Sequence, residues 1–188
     1  MTRIEPVAGD SGDETLARVF ASFTREGRRP IALYRTLGRV PALLERYSAL
    51  ARWLRYDSAL PRDLRELLIL RGALLIGSDY EWSHHLPMAR AAGVPEEKIT
   101  ALASWTGATV FDARERAALQ CVDRVHAVEV DEATHDELRQ HFSEEQVVEL
   151  VFLCAFYELV GRVVDGLGVE VEDDYRGYLA QTPRPQVD

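Results

Sequence analysis

Between residues 60 and 93 the chain gathers Glu66, Ser78, Tyr80, Glu81, Trp82, His84 and His85 around a Gly77-Ser78 joint. Glu81 and His85 are four residues apart, so on a helix they share one face and can touch. A carboxylate beside an imidazole orients the ring, and such a pair suits general acid–base work near neutral pH. Pro87 has no amide proton for the carbonyl of Ser83, so a kink is expected beside the histidines. Glu66 lies near the start of the preceding helix, where a carboxylate is favoured. Arg71 stands alone in the apolar run LLILRGALLI and must find a carboxylate or a bound anion. His85, Glu81 and Glu66 are therefore the candidate catalytic groups. Tyr80, Trp82, His84, Arg71 and Ser78 are the candidate substrate contacts.

Glu66, Glu81 and His85 would also make a small nitrogen–oxygen ligand set for one metal ion. Glu81/His84 and Glu132/His135 share the carboxylate-x-x-His spacing of di-iron proteins, but the segment DEATHDELRQH is polar and reads as a surface helix. No cofactor is therefore expected. Cys121 and Cys154 sit in separate apolar segments, with no Cys-x-x-Cys partner and no cation one turn away to favour the thiolate, and read as inert buried thiols.

The elements that position these groups are helices. Leu16, Val19, Phe20 and Phe23 form one stripe, and prolines 30, 41, 61 and 95 each open a further helical segment. Residues 61–76 and 79–92 flank the joint, the second ending at Gly93. Helices follow over residues 95–105, 111–128, 131–142 and 144–167, the last opened by the capping box Ser143-x-x-Gln146 and closed by Gly168. Residues 169–172 alternate like a strand but are too few to matter. The fold class is all-α. Residues 67–76 and 147–164 are apolar nearly all round, which puts them in a bundle centre or at a subunit interface and favours a homo-oligomer. Glu158, Arg162 and Asp165 read as an ion-pair ladder along the latter.

At 188 residues the chain has the size of one domain spanning 1–188, with residues 1–13 and 179–188 expected to be flexible ends. The excess of 31 acidic over 22 basic residues, net −9, repels phosphate backbones and argues against nucleic acid. Charges interrupt the longest apolar segment, so no membrane span is expected. No secretory signal opens the chain, and with two free thiols a cytoplasmic protein acting on a small molecule is expected.

Counting from Glu66, the next eleven residues lead to Ser78, Glu81 and His85. These fall in the slots of Glu-x11-Cys-x-x-Cys-x-x-x-His, the signature of alkylhydroperoxidase D-like proteins. LPRDLRELLILR before the joint, YEWSHHLPMARAAGVPEEKI after it and the closing FYELVGRVVDGLGVEVE are similar to the same superfamily. Over residues 40–172 the chain thus resembles the carboxymuconolactone decarboxylase/alkylhydroperoxidase D-like superfamily, in a branch without the cysteine pair. The resemblance implies its helical bundle and a homo-oligomer, dimer, trimer or hexamer. It also implies non-thiol proton transfer, decarboxylation or isomerisation, on a small oxygenated organic acid or lactone. In that reading His85 protonates a developing carbanion, Glu81 orients His85, and Arg71 or Tyr80 holds a substrate carboxylate. Thiol peroxidase chemistry and non-enzymatic ligand binding are the alternatives.

Overall fold

A computed structural model describes residues 3–9, 12–25, 27 and 29–187. Among them the regular structure is helical: α1 (Glu14–Arg25), α2 (Ala32–Leu37), α3 (Pro41–Tyr56), α4 (Arg62–Ile76), α5 (Asp79–Ala91), α6 (Glu96–Ala101), α7 (Ala113–Ala127), α8 (Glu132–His141), α9 (Glu144–Leu167) and α10 (Asp173–Gln181). A 3₁₀ segment, Leu102–Gly107, follows α6, where one continuous helix was expected. No described helix is long and apolar enough to cross a membrane.

α4 is the central element. Leu64, Leu67, Leu68, Ile69, Leu70, Ala73 and Leu74 are buried on it, and it packs against α5, α7 and α9. Its all-round apolarity is thus satisfied inside the chain and offers nothing to a partner. α9 differs, because Val148, Phe152 and Leu159 remain exposed on its outer side. Leu43, Leu50 and Trp53 are exposed on α3, which touches α9 through stacked Tyr47 and Phe156.

Local signals set the helix ends. Ser143 and Gln146 bond reciprocally as a capping box, and Asp112 with Glu115 does the same for α7. Such a cap is worth about 1 kcal/mol. α4 closes on Gly77 at φ 72°, a left-handed conformation that costs glycine little, and Ser78 then caps α5 by accepting the Glu81 amide. α5 continues through Pro87 as one helix.

The chain ends carry bonds to the body of the bundle. Residues 1, 2, 10, 11 and 188 lie outside the described residues, but Val7 exchanges bonds with Arg35, and Arg3 donates to the carbonyls of Asp165 and Gly166. α10 was not foreseen, since it buries no residue of its own and has no apolar stripe to read. It lies against α5: Trp82 Nε1 donates to the Thr182 carbonyl at 2.9 Å, and Arg184 bonds Asp79 at 2.7 Å.

Candidate functional site

The tight turn at Gly77 folds α5 back along α4 and brings His85 opposite Glu66. His85 Nδ1 lies 2.8 Å from Glu66 Oε2, both groups buried. A carboxylate only accepts, so the ring proton sits on Nδ1 and Nε2 is left for the cavity that His85 lines. Tyr157 meets the ring edge-on at 5.0 Å and limits its rotation. The expected Glu81–His85 pair is corrected by this contact. Both groups are on α5, but the imidazole turns toward α4, where Glu66 offers a better-directed oxygen.

Glu81 is deeply buried, and neither carboxyl oxygen has a hydrogen-bond partner among the described residues. Burial pushes its pKa up to about 8, with the nearby Ser78 hydroxyl opposing and the Glu158 charge adding to the rise. At neutral pH the group is thus largely a carboxylic acid. Space for it comes from Gly161 on α9, where a β-carbon would lie only 2.7 Å from Glu81 Oε2. Gly161 was missed at the sequence level. Its signal was a glycine inside an otherwise strong helix, which costs about 1 kcal/mol unless something needs the room.

Glu81 and His85 line one inner cavity of about 50 Å³ with Tyr34, Tyr47, Arg55 and Tyr157. Burial first of all pushes the Tyr47 and Tyr157 hydroxyls up, so both stay protonated donors. Burial works against the Arg55 charge, but the surrounding phenol oxygens, Tyr34 foremost, outweigh it and keep the guanidinium cationic. Arg55 donates to the Ala51 carbonyl and the Tyr34 hydroxyl, and among the described residues its Nη1 has no hydrogen-bond partner. The cavity's fixed cation is therefore Arg55, which sequence reasoning missed because it lies outside the segment around the joint.

Arg71 is corrected accordingly. Its face of α4 turns to α7, where Asp123 takes its Nε at 2.7 Å and its Nη2 at 3.1 Å, and the Leu102 and Ala103 carbonyls take Nη1. With four of its five N–H donors engaged there, the guanidinium is held away from the inner cavity, which it does not line. Trp82 is likewise wholly buried, holding the Thr182 carbonyl rather than lining the cavity. Ser78 caps α5 and borders a separate outer cleft with Asp79 and Gly161.

Tyr80 and His84 reach the inner cavity from its other side. His84 is stacked between Tyr80, at 4.1 Å, and Tyr175 of α10, at 3.8 Å. Its Nδ1 lies 2.8 Å from the Tyr80 carbonyl and its Nε2 3.0 Å from Glu172 Oε2. The Tyr80 hydroxyl accepts from the Leu33 amide and donates to Glu172 Oε1. Burial alone would raise the Glu172 pKa, but His84 and the Ala32 amide outweigh it and hold the group below the usual carboxylate range. Beyond His84 lies an open groove of about 1130 Å³, bordered by Arg29, Arg35, Arg62 and Met88. His84 faces both spaces and separates them.

Among the described residues no three His, Cys, Asp or Glu side chains are grouped to hold a metal ion, Glu81 being turned to Gly161 while Glu66 pairs with His85. Cys121 and Cys154 are buried free thiols on α7 and α9, and neither lines the inner cavity. The neighbouring Cys121 thiol first, and burial with it, push the Cys154 thiol up. Glu132 pairs with Arg139 at the surface, as its polar segment implied. The expected ladder on α9 keeps its Glu158–Arg162 rung, and Glu158 also takes His126 of α7.

Residues 40–124 match the model of the Carboxymuconolactone decarboxylase family. The uncharacterized protein YdfG of Bacillus subtilis (strain 168) is 28% identical over 115 residues, covering 60% of this chain and 78% of its own. Among solved structures the chain is similar to the debrominase Bmp8 in complex with 2,3,4-tribromopyrrole, with a TM-score of 0.80 at 22% identity over 96% of this chain and 97% of the other. It is also similar to the alkylhydroperoxidase AhpD core of an uncharacterized peroxidase-related protein from Ralstonia eutropha JMP134, with a TM-score of 0.79 at 22% identity over 93% and 94% of the two chains. At that identity the solved structures speak for the fold.

Proposed function

Because the chain is a member, through residues 40–124, of the carboxymuconolactone decarboxylase/alkylhydroperoxidase D-like superfamily, with Ser78 and Glu81 in the cysteine slots, we propose that it is a non-thiol acid–base enzyme. Its substrate is a small oxygenated organic acid or lactone, and its reaction is an isomerisation or decarboxylation. The observation that carries this reading is Glu81, a buried carboxyl held neutral at the same cavity as a histidine whose other ring nitrogen is bound to Glu66. A protonated carboxyl and an imidazole nitrogen at one cavity are groups able to give and to take a proton.

In isomerisation, His85 Nε2 takes the proton from the carbon beside a carbonyl, and Glu81 gives its proton to the carbonyl oxygen. The enol then takes a proton at a new carbon from His85 and returns its hydroxyl proton to Glu81. In decarboxylation, the electron pair of the breaking carbon–carbon bond moves into the adjacent carbonyl, whose oxygen takes the Glu81 proton. The enol collapses by taking one solvent proton at carbon, while its hydroxyl proton goes back to Glu81. Glu66 fixes the His85 ring, and Arg55 Nη1 holds negative charge on the substrate. No step uses Cys121 or Cys154.

Solvent deuterium exchange, read by NMR over a panel of small keto acids, unsaturated acids and lactones, tests this. Wild type should label at least one compound, and Glu81→Gln and His85→Gln should not. Equal labelling by all three proteins, or none by any, overturns the reading in favour of ligand binding without chemistry.

We also propose that copies of the chain associate through the apolar face of α3 and α9. Leu43, Leu50, Trp53, Val148, Phe152 and Leu159 give that face a hydrophobic content suited to a homo-oligomer. Light scattering should find a dimer, trimer or hexamer that Phe152→Glu reduces to monomer. A wild-type monomer at micromolar concentration overturns it.

A further inference from the structure

Two donors bond the Glu172 carboxylate, and a histidine nitrogen, a donor when both ring nitrogens carry protons, stands beside it. The Ala32 amide donates to Oε1, the Tyr80 hydroxyl donates to the same oxygen at 3.3 Å, and His84 Nε2 stands 3.0 Å from Oε2. The Tyr80 proton is committed to this point, because its oxygen already accepts the Leu33 amide. We propose that Ala32, Tyr80 and His84 form a receptor for the carboxylate of a small ligand, and that Glu172 occupies it as an internal stand-in which the ligand displaces.

The fit of Glu172 is incomplete in a way a free ligand could improve. Neither Glu172 Oε2 nor His84 Nε2 has a well-directed hydrogen bond, although both atoms are buried. Glu172 is tethered at the start of α10, whereas an untethered carboxylate is free to align both oxygens. α10 buries no side chain fully, but Tyr178 and Leu179 pack against the core and Tyr175 stacks on His84, so displacement needs only the Glu172 side chain to swing out, not the helix to leave. The receptor lies where the groove of about 1130 Å³ meets the inner cavity, with His84 facing both. A ligand arriving from the groove would meet these donors before it met Glu81. The inference rests on the reading above for the fate of that acid, but binding at the receptor needs no turnover.

Removing the tethered competitor tests it. An attached group competes at an effective concentration in the millimolar range, so Glu172→Ala should bind benzoate and acetate at least tenfold more tightly than wild type. The His84 side-chain NMR signals should move on binding. Acetate should raise the melting temperature of Glu172→Ala and leave wild type unchanged, while acetamide, of the same shape but uncharged, should do neither. Adding Tyr80→Phe to Glu172→Ala should lose most of the gain. Should Glu172→Ala fold poorly, Glu172→Gln keeps bonding capacity toward Ala32 and gives a smaller gain of the same sign. Carboxylates that bind neither variant more tightly than wild type, or that leave His84 unmoved, overturn the proposal. Its failure is distinct from that of the acid–base reading: inactive chemistry with intact carboxylate binding sinks the latter alone.

Discussion

Gly161 of α9 faces Glu81 of α5 so closely that a β-carbon would stand 2.7 Å from Oε2 and 3.0 Å from two carbons of Ile76. In Gly161→Ala two effects compete. Alanine gains about 1 kcal/mol of helix propensity, while overpacking costs about 1–3 kcal/mol. The Glu81 carboxyl and the Ile76 side chain would both have to shift, so the variant should be no more stable than wild type and should lose at least roughly tenfold in turnover, about 1.4 kcal/mol of barrier. Denaturant unfolding and deuterium exchange measure the two. A more stable variant of full activity would show that Glu81 does not need this space.

The raised pKa of Glu81 makes stability depend on pH in a stated direction. The unfolded chain releases this proton near pH 4.3, while the folded chain keeps it until about pH 8. Folding thus binds a proton in between, and the group's contribution is full below the unfolded value and lost as pH rises through the folded one. From about pH 5 to about pH 8 wild type should lose on the order of a few kcal/mol that Glu81→Gln retains. Parallel stability curves for the two proteins would place Glu81 in a better-solvated setting.

The partner of His85 is decided by ring nitrogen shifts. Glu66→Gln should disturb the Nδ1-protonated form of His85, while Glu81→Gln should leave it intact. His85→Gln should lower turnover by about 10²–10⁴, with Glu66→Gln losing less. The opposite pattern in the shifts would restore a pair within α5.

That contrast marks how far the residues could be read in order. The helices were legible because apolar spacing, opening prolines, a capping box and closing glycines are local properties. Glu66 and His85 were also legible, since the matching spacing fell within one segment. Their mutual contact was not, because it spans nineteen residues and depends on how α4 and α5 rotate against each other. The same rotation sends Arg71 to Asp123 and leaves Arg55, on another helix, to face the cavity. α10 and Glu172 escaped notice because a polar helix held by side-chain bonds has no periodic signature.

Arg71 and Arg55 should behave differently when truncated. Arg71→Ala leaves Asp123, 29% exposed, with the Trp105 indole as its remaining donor and should cost about 1–3 kcal/mol. Arg55→Ala, which removes the cavity's guanidinium, should weaken binding of anionic ligands with a smaller effect on stability. Calorimetry for folding and titration for binding separate the two. Equal losses of ligand binding in well-folded forms of both would return Arg71 to the site.

The indole of Trp82 is wholly enclosed and donates its proton to the Thr182 carbonyl just beyond α10. Any event that lifts the C-terminal segment must break that bond and let water reach the ring, which shifts indole emission to longer wavelength. Trp53 is already exposed and Trp105 is fastened to Asp123 on the far side of α4, so neither should follow the segment. The chain therefore carries its own optical gauge of whether its last helix is docked, and truncation after Glu172, which removes that helix, would give the fully undocked reading.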